Sequence, residues 1–197
     1  MALSIPRDAR VERTVAKVLA AAHRLLETEG LGSVTFGRLS RETGVSRTTL
    51  YRHWSSPSEL ISEAWGTVAP PNQVAHTDEL QEDLVAVFRA VRDVVESSTM
   101  QRSLPALLVV AQRDPVIFSL HARFVQDRRQ PIVERLRAAV ADGEISADAE
   151  PELLVDLLSG PIFYRQLLRR TRTTDADVRA MVAAALASVR PGSRDVR

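Results

Sequence analysis

The chain has 197 residues, a formal net charge of +1 and no cysteine, a length that suffices for one well-buried helical domain and a small one. The near-zero charge gives no general attraction to nucleic acid, and the lack of cysteine excludes disulfides, thiolate metal sites and a thiol redox switch. Because no apolar run approaches the roughly 20 residues of a membrane span and the N-terminus lacks a signal-peptide core, we expect a cytoplasmic protein with no membrane partner.

A long amphipathic helix is predicted from Ala9 to Glu29, after an N-terminal arm. Its apolar residues recur at helical spacing from Val11 to Leu26. Gly30 suits the left-handed conformation in which many helices end. This helix is long enough to support the short elements that follow it.

Residues 35–54, with the sequence TFGRLSRETGVSRTTLYRHW, predict two short helices joined by a tight turn. In the first helix, Phe36, Leu39 and Thr43 recur at helical spacing and give one inward face. Gly44 follows where the chain needs a residue that tolerates a left-handed conformation. We expect this helix to support the next one.

The second short helix carries the functional signal. Ser46 is a good N-cap, because its hydroxyl can accept a hydrogen bond from an otherwise unpaired amide. Leu50 and Trp54, four residues apart, define an inward face. The opposite wall is polar and basic, and the residues on it or beside it are Thr48, Thr49, Tyr51 and Arg52. This pattern predicts a helix-turn-helix whose second helix is narrow enough to enter a DNA major groove.

The same stretch resembles the DNA-binding signature of the tetracycline-repressor (TetR) family of bacterial transcription regulators. The residues that match the signature are Thr35, Leu39, Gly44, Val45, Ser46, Leu50, Tyr51, His53, Trp54 and Leu60. The departures are Ser40 and Thr43 in place of alanine, Thr48 in place of glycine, and Pro57 in place of a phosphate-contacting lysine. The resemblance is specific over about the first 66 residues.

We predict DNA contacts from eight residues in or near the second helix: Thr35, Ser46, Arg47, Thr48, Thr49, Tyr51, Arg52 and His53. On the outer wall, Arg52 can meet guanine through a forked pair of hydrogen bonds. The resemblance implies that Tyr51 and His53 hold phosphates. Arg47 can reach either a base or a phosphate. Residues 1–54 contain nine lysines and arginines and five acids, so a net charge of +4 stands against −3 for the remainder, which agrees with a DNA-binding head on an acidic body.

Six more helices and no strand are expected after the motif. Ser56, Pro57 and Glu59 form the pattern of a capping box, which opens a helix to about Trp65. The other five have apolar residues at helical spacing and span Asp78–Ser97, Met100–Gln112, Pro115–Ala141, Pro151–Arg169 and Asp175–Val189. The helix that begins at Met100 is apolar nearly all round and is expected to be the buried one. Pro131 should kink or divide its helix, because proline withholds an amide donor and clashes with the preceding turn.

The predicted fold is therefore all-α, with about nine helices in two domains. Residues 1–66 form the helix-turn-helix domain, residues 72–190 form a larger helical ligand-binding and dimerisation domain, and Pro70-Pro71 marks the boundary between them. Residues 191–197 are expected to be a disordered tail. The last two helices, which include Met181 and Leu186, are predicted to associate two subunits, as the resemblance also implies; the alternative is that they complete the core of a monomer.

A small-molecule effector is implied by the resemblance, since regulators of this family commonly hold one among the body helices. The candidate pocket residues are Phe88, Arg92, Met100, Leu108, Gln112, Phe118, His121, Phe124 and Phe163. The alternative for the apolar members is an ordinary place in the core. The sequence does not identify the effector.

These features predict a ligand-responsive transcription regulator, a repressor in the family's usual mode. It would bind an inverted-repeat operator in double-stranded DNA as a homodimer and be released by a small molecule. The alternative is a helical adaptor without sequence-specific DNA binding, which would leave the threonine, tyrosine and arginine wall unexplained. An enzyme is not expected, because catalytic and phosphate-binding motifs are absent and the four histidines are isolated. No cofactor and no metal are expected.

Overall fold

The computed structural model describes residues 9–68 and 72–191, and of residues 9, 10, 67 and 68 only the backbone. Across these ranges the chain forms nine α-helices and no strand, which confirms the expected all-α fold class. The helices are α1 (Ala9–Glu29), α2 (Phe36–Thr43), α3 (Arg47–His53), α4 (Pro57–Val68), α5 (Leu80–Val95), α6 (Ser98–Ala111), α7 (Pro115–Ala141), α8 (Pro151–Tyr164) and α9 (Asp175–Ala187). The expected N-terminal arm, the Pro70-Pro71 boundary and the expected tail from residue 192 lie outside the described residues. No helix in the described part is long and apolar enough to cross a membrane.

The chain divides into two compact units. The first contains Met1–Ala69 and Arg102–His121, and the second contains Pro70–Gln101 and Ala122–Arg197. The segment 102–121 thus clusters with the helix-turn-helix part, whereas the sequence-based boundary assigns it to the larger domain.

The core of the first unit forms where α1 packs against α2 and α4. The apolar stripe of α1 is buried from Val15 to Leu26, while Val11 at its start is half-buried, and the inward face of α4 is buried as expected; the buried residues are Val15, Val18, Leu19, Ala21, Ala22, Leu25, Leu26, Leu60, Ile61, Ala64 and Trp65. A polar contact joins the two helices, since the ring nitrogen Nε2 of His23 is hydrogen-bonded to the carbonyl of Ala64. Helix α1 is therefore a long support for the shorter helices.

The end of α1 is only partly the one expected from sequence. Gly30 has a φ of 82°, and its amide donates to the carbonyl of Leu25 at 3.0 Å, as a C-terminal glycine should. A 3₁₀ turn, Leu31–Ser33, follows and was not predicted. The Ser33 hydroxyl donates to the Gly30 carbonyl at 2.7 Å and so closes this turn locally.

The core of the second unit is built from α5, α8, α9 and the C-terminal half of α7. Its buried members are Leu80, Leu84, Val85, Val87, Phe88, Val95, Ile132, Val133, Leu136, Ala139, Ile145, Leu154, Val155, Leu158, Ile162, Val178 and Val182. Two charged residues are buried beside them, Asp83 at 3% exposure and Arg135 at 2%. The guanidinium of Arg135 donates to Asp83 at 2.9 Å and to Glu144 at 2.8 Å, and the Thr77 hydroxyl donates to Asp83 at 2.8 Å. Each buried charge is therefore paired and hydrogen-bonded, as burial requires.

One expectation about the body helices is wrong, and two others need a change of detail. Helix α6 is not buried all round: Leu104, Leu107 and Ala111 are buried, but Val109 is 56% exposed. Helix α7 is continuous through Pro131, so it is not divided there, and a kink stays as the predicted effect of this proline. Regular α-helix ends at Tyr164 rather than Arg169, because a π-helical turn, Arg165–Arg169, completes α8.

Candidate nucleic-acid interface

Two polar side chains and one glycine fix the bounds of α2 and α3. The Thr35 hydroxyl accepts the Arg38 amide at 3.2 Å and caps α2, and the Ser46 hydroxyl accepts the Thr49 amide at 3.1 Å and caps α3. Gly44 lies between them in the left-handed conformation, with a φ of 69°. The predicted turn and the Ser46 cap are confirmed. Thr35 and Ser46, both predicted DNA contacts, thus each have a role in the fold as well.

The inward face of the motif is also as predicted. Phe36, Leu39, Leu50 and Trp54 are all buried. Thr43, the polar member of this face, donates its hydroxyl proton to the Leu39 carbonyl at 2.6 Å and accepts the Val45 amide at 3.2 Å. The hydroxyl that replaces the usual alanine is therefore fully bonded and ties α2 to the turn.

The outer wall of α3 faces solvent. Arg47, Thr48, Tyr51 and Arg52 are exposed, while Thr49 and His53 are half-buried. Tyr51 is 62% exposed, yet its ring meets the edge of Phe36 in a T-shaped contact with 4.7 Å between centroids. This contact holds the tyrosine in one place while leaving most of its surface accessible. The Thr49 and Ser46 hydroxyls, 2.9 Å apart, share a hydrogen bond at the start of the helix.

The arginines at the edge of the motif differ in their surroundings. Arg38 donates to both carboxylate oxygens of Glu29, at 2.6 and 2.8 Å, and to Glu42 at 2.9 Å. These bonds raise the pKa of Arg38 above its ordinary value, and the bond that it donates to Glu42 contributes most. The Arg47 guanidinium instead lies against the backbone of Gly37 in α2. The charge of Arg38 is thus already compensated within the protein.

Two carboxylates of α4 hold the junction between α3 and α4. The indole N–H of Trp54 donates to Glu63 at 2.6 Å, and both the amide and the hydroxyl of Ser55 donate to Glu59, at 2.6 and 2.7 Å. The hydrogen bonds from Ser55 lower the pKa of Glu59, that from the hydroxyl most. Sequence reasoning missed Glu63, since a glutamate on an amphipathic helix gives no signal that it binds a tryptophan.

The predicted capping box at α4 is half correct. The amide of Glu59 donates to the Ser56 hydroxyl at 3.2 Å, as a box requires. The carboxylate of Glu59, however, accepts from Ser55 rather than from the Ser56 amide. The bond is displaced by one residue, and it ties the end of α3 to the first turn of α4.

Comparison with known proteins identifies this arrangement. Residues 18–64 match the family described as bacterial regulatory proteins of the tetR family, and residues 74–185 match the tetracyclin repressor-like C-terminal domain. The chain belongs to the TetR family. It is a transcriptional regulator with a DNA-binding domain, not an enzyme, and this membership goes against the adaptor alternative.

Individual TetR-family proteins align over nearly the whole chain. The HTH-type transcriptional regulator YdeS of Bacillus subtilis (strain 168) is 29% identical, over 95% of this chain and 94% of its own. The DNA-binding transcriptional repressor TetR of Mycobacteroides abscessus is 26% identical, over 94% of this chain and 99% of its own. The crystal structure of the TetR family transcription regulator SCO0332 is 34% identical and superimposes with a TM-score of 0.71, covering 91% of this chain and 100% of that one.

The candidate effector-binding residues of this TetR-family chain are divided between the two units. The first unit holds Leu108, Gln112, Phe118 and His121, and the second holds Phe88, Arg92, Met100, Phe124 and Phe163. Phe118 is 59% exposed, whereas Phe88 lies inside the core of its unit. Arg92 pairs with Asp93 at 2.8 Å and with Asp175 at 2.5 Å. The nine residues therefore occupy dissimilar environments, from core to surface.

His121 and Arg128 of α7 are both half-buried. Burial lowers the pKa of His121 below its ordinary value and also lowers that of Arg128. The Arg128 guanidinium lies 3.4 Å above the centre of the Phe124 ring. Neither feature makes a metal site: in the described ranges no group of three histidines, aspartates or glutamates is placed to hold an ion.

Proposed function

We propose that the chain is a homodimeric repressor that binds an inverted-repeat operator through α3 and is released by a small molecule. The observation that carries the proposal is the two-sided build of α3. Its inner face, Leu50 with the capping Trp54, is locked into the first unit, while its outer wall offers hydroxyls and guanidinium groups to solvent. Because its partner would be chromosomal DNA, we propose that the protein acts in the cytoplasm.

In this proposal the residues of α3 have two kinds of role. Arg52 is exposed one turn beyond Thr48, where a guanidinium can form a forked pair of bonds to guanine O6 and N7. Tyr51, held by Phe36, and His53 lie beside that wall and fix the position of the helix on phosphates. The short side chains of Thr48 and Thr49 add contacts to base edges. Thr35 and Ser46 contact DNA at the helix starts that they cap.

The second unit presents the surface that would join two subunits. Helix α8 and its π-turn carry exposed apolar residues in a row, Leu153, Leu157, Tyr164 and Leu168. The neighbouring α9 has exposed alanines at helical spacing, Ala176, Ala180, Ala184 and Ala187. Small side chains let a second pair of helices approach closely, and contiguous exposed apolar patches mark interaction surfaces. This supports a two-fold dimer and hence a two-fold operator.

The sign of regulation and the effector are the remaining parts of the proposal. A dimer bound across a promoter blocks transcription without further contacts, and the relative from Mycobacteroides abscessus is described as a repressor. The effector-binding candidates given above belong to this part of the proposal.

Selection from random double-stranded DNA tests the reading by α3. We expect the wild-type chain to recover an inverted repeat. Arg52→Ala should weaken the preferred site by about 1–3 kcal/mol and relax one base position in each half-site, as a symmetric pair. The matched variant Tyr51→Phe, which keeps the ring contact with Phe36, should weaken all sequences by a similar factor. Unchanged base preferences in a folded Arg52→Ala variant, with folding checked by circular dichroism, would refute the role of Arg52.

A further inference from the structure

Arg47 and Gly37, which belong to different helices of the motif, make a close contact. A Cβ atom built on Gly37 would lie 2.8 Å from Nη2 of Arg47, 3.5 Å from Cζ and 3.8 Å from Nε. The Arg47 guanidinium therefore occupies the space that the side chain of any larger residue at position 37 would enter. The Arg47 side chain runs from the first turn of α3 to the first turn of α2.

Within the described residues, the guanidinium of Arg47 is not paired with a carboxylate, unlike that of its neighbour Arg38. Arg38 binds Glu29 and Glu42, whereas no ion pair in residues 9–68 and 72–191 involves Arg47. Arg47 is exposed, so its charge is available to a partner outside the protein. The first turn of α2 thus carries a cation that this motif leaves uncompensated.

The position of that cation indicates its partner. In a helix-turn-helix, the second helix lies in the major groove while the first crosses the DNA backbone. A guanidinium laid on the first turn of α2 is therefore directed at the backbone and not at base edges. Contacts to phosphate fix the register of the protein and carry no direct sequence information.

We infer that Arg47 is a phosphate-binding positioning residue and that Gly37 makes room for it, which leaves base reading to Thr48, Thr49 and Arg52. This inference rests on the proposed operator binding. It resolves the choice between base and phosphate that the sequence leaves open for Arg47. It also gives Gly37 a part in DNA binding, although this residue has no side chain to offer.

The first test compares Arg47→Ala and Arg47→Lys in the full chain, using the operator recovered by selection and a shuffled duplex of equal length. Arg47→Ala should lower the affinity for both duplexes by the same factor and leave the base preferences unchanged. The slope of log affinity against log salt concentration should fall by about 1, because one phosphate contact is lost. Arg47→Lys should restore most of the affinity, since an ammonium also binds phosphate but cannot form a forked pair with a base.

The second test is a double-mutant cycle with Gly37→Ala. The added methyl group meets the flexible end of an arginine, and alanine favours a helix more than glycine does, so this variant should fold with Arg47 displaced. It should weaken binding to both duplexes, as Arg47→Ala does, though by a smaller factor. In the Arg47→Ala background, Gly37→Ala should change DNA affinity no further.

Two results would overturn the inference. If Arg47→Ala relaxes a base position in each half-site, Arg47 reads sequence. If the losses from Gly37→Ala and Arg47→Ala simply add, the glycine does not position the arginine. In both cases wild-type chain still selects an inverted repeat, so operator binding stands. If the wild-type chain selects no sequence at all, it is the proposed function that fails.

Discussion

Asp83 shows how much depends on the partners of one buried charge. Burial by itself raises the pKa of this carboxyl group, but the hydrogen bonds from Thr77 and Arg135 and the charge of Arg135 lower it below its ordinary value. The carboxylate is therefore ionised in the folded chain at neutral pH. Its negative charge allows the guanidinium of Arg135 to be buried in an apolar core.

Removing this carboxylate should be far more damaging than removing its neighbour. Asp83→Ala leaves the Arg135 charge buried with Glu144 alone, and we expect a loss of about 3–5 kcal/mol in the free energy of unfolding, measured with urea. Glu82→Ala is the control: Glu82 pairs with Arg179 on the surface, and exposed ion pairs contribute little. Equal effects of the two substitutions would contradict a structural role for the buried pair.

Sequence patterns could not have identified the partners of these buried polar groups. Helical spacing puts Asp83, and not its neighbour Glu82, on the face of α5 that carries the apolar residues, but it does not say which cation the carboxylate meets there. Thr43 is a similar case, because its place on the inward face was predicted but its two hydrogen bonds depend on the exact path of the turn. The partners of such residues are set by tertiary structure.

At the scale of single elements, the start of α4 depends on an ionised carboxylate. The pKa of Glu59 is lower in the folded chain than in the unfolded one because of its bonds to Ser55. Ionised Glu59 therefore stabilises the fold at any pH above its unfolded value of about 4.3, and this contribution is lost as the pH falls through the lower, folded value.

Glu59→Gln should accordingly lower the Tm at pH 7, and its difference from wild type should shrink as the pH is lowered from 7 to 3. Circular dichroism at several pH values measures both. Glu79→Gln is a suitable control, because Glu79 lies at the start of α5 without a side-chain capping bond and should change the Tm little at either pH. A Glu59→Gln deficit that persists unchanged at pH 3 would show that the loss is not electrostatic.

The body helices show where helical periodicity stops being informative. Their existence and approximate bounds were predictable from apolar spacing, as α5 and α9 illustrate. The partner of each apolar face was not. Four apolar residues of α8 complete the core of the subunit, such as Leu154 and Leu158, and three others are exposed. Met181 and Leu186, which the sequence placed in the association surface, are partly buried and pack against the core of the second unit.

The exposed row on α8 therefore supplies the sharper test of association. Leu153→Glu combined with Leu157→Glu should give a folded monomer by light scattering, because these side chains are 54% and 52% exposed and contribute little to the subunit core. Leu108→Glu, a surface leucine of α6 in the first unit, should leave the dimer intact. A dimer that survives the paired substitution at unchanged concentration would place the interface elsewhere.

For the molecule as a whole, the two halves of the chain were predictable to different degrees. The DNA-binding motif follows from local rules of capping, turn and spacing, and its helix bounds, caps and inward face are confirmed in the structure. An effector site is assembled from distant residues, and the nine candidates chosen by residue type lie in environments as unlike as those of Phe88 and Phe118. Residue type and spacing carry no information about which of them share a cavity.

Release of DNA by an effector has a thermodynamic signature that needs no knowledge of the pocket. A compound can free the operator only if it binds the operator-free arrangement more tightly, since equal affinity for both shifts nothing. Saturating operator must then lower the affinity for the compound by the same factor by which the compound lowers the affinity for the operator, typically about 5–150-fold.

A candidate compound can be found by screening for loss of the operator mobility shift. We expect calorimetric titration of that compound, with and without operator, to show this equality. A shuffled duplex at the same concentration should leave its affinity unchanged. Equal affinity with and without operator would exclude that compound as the inducer.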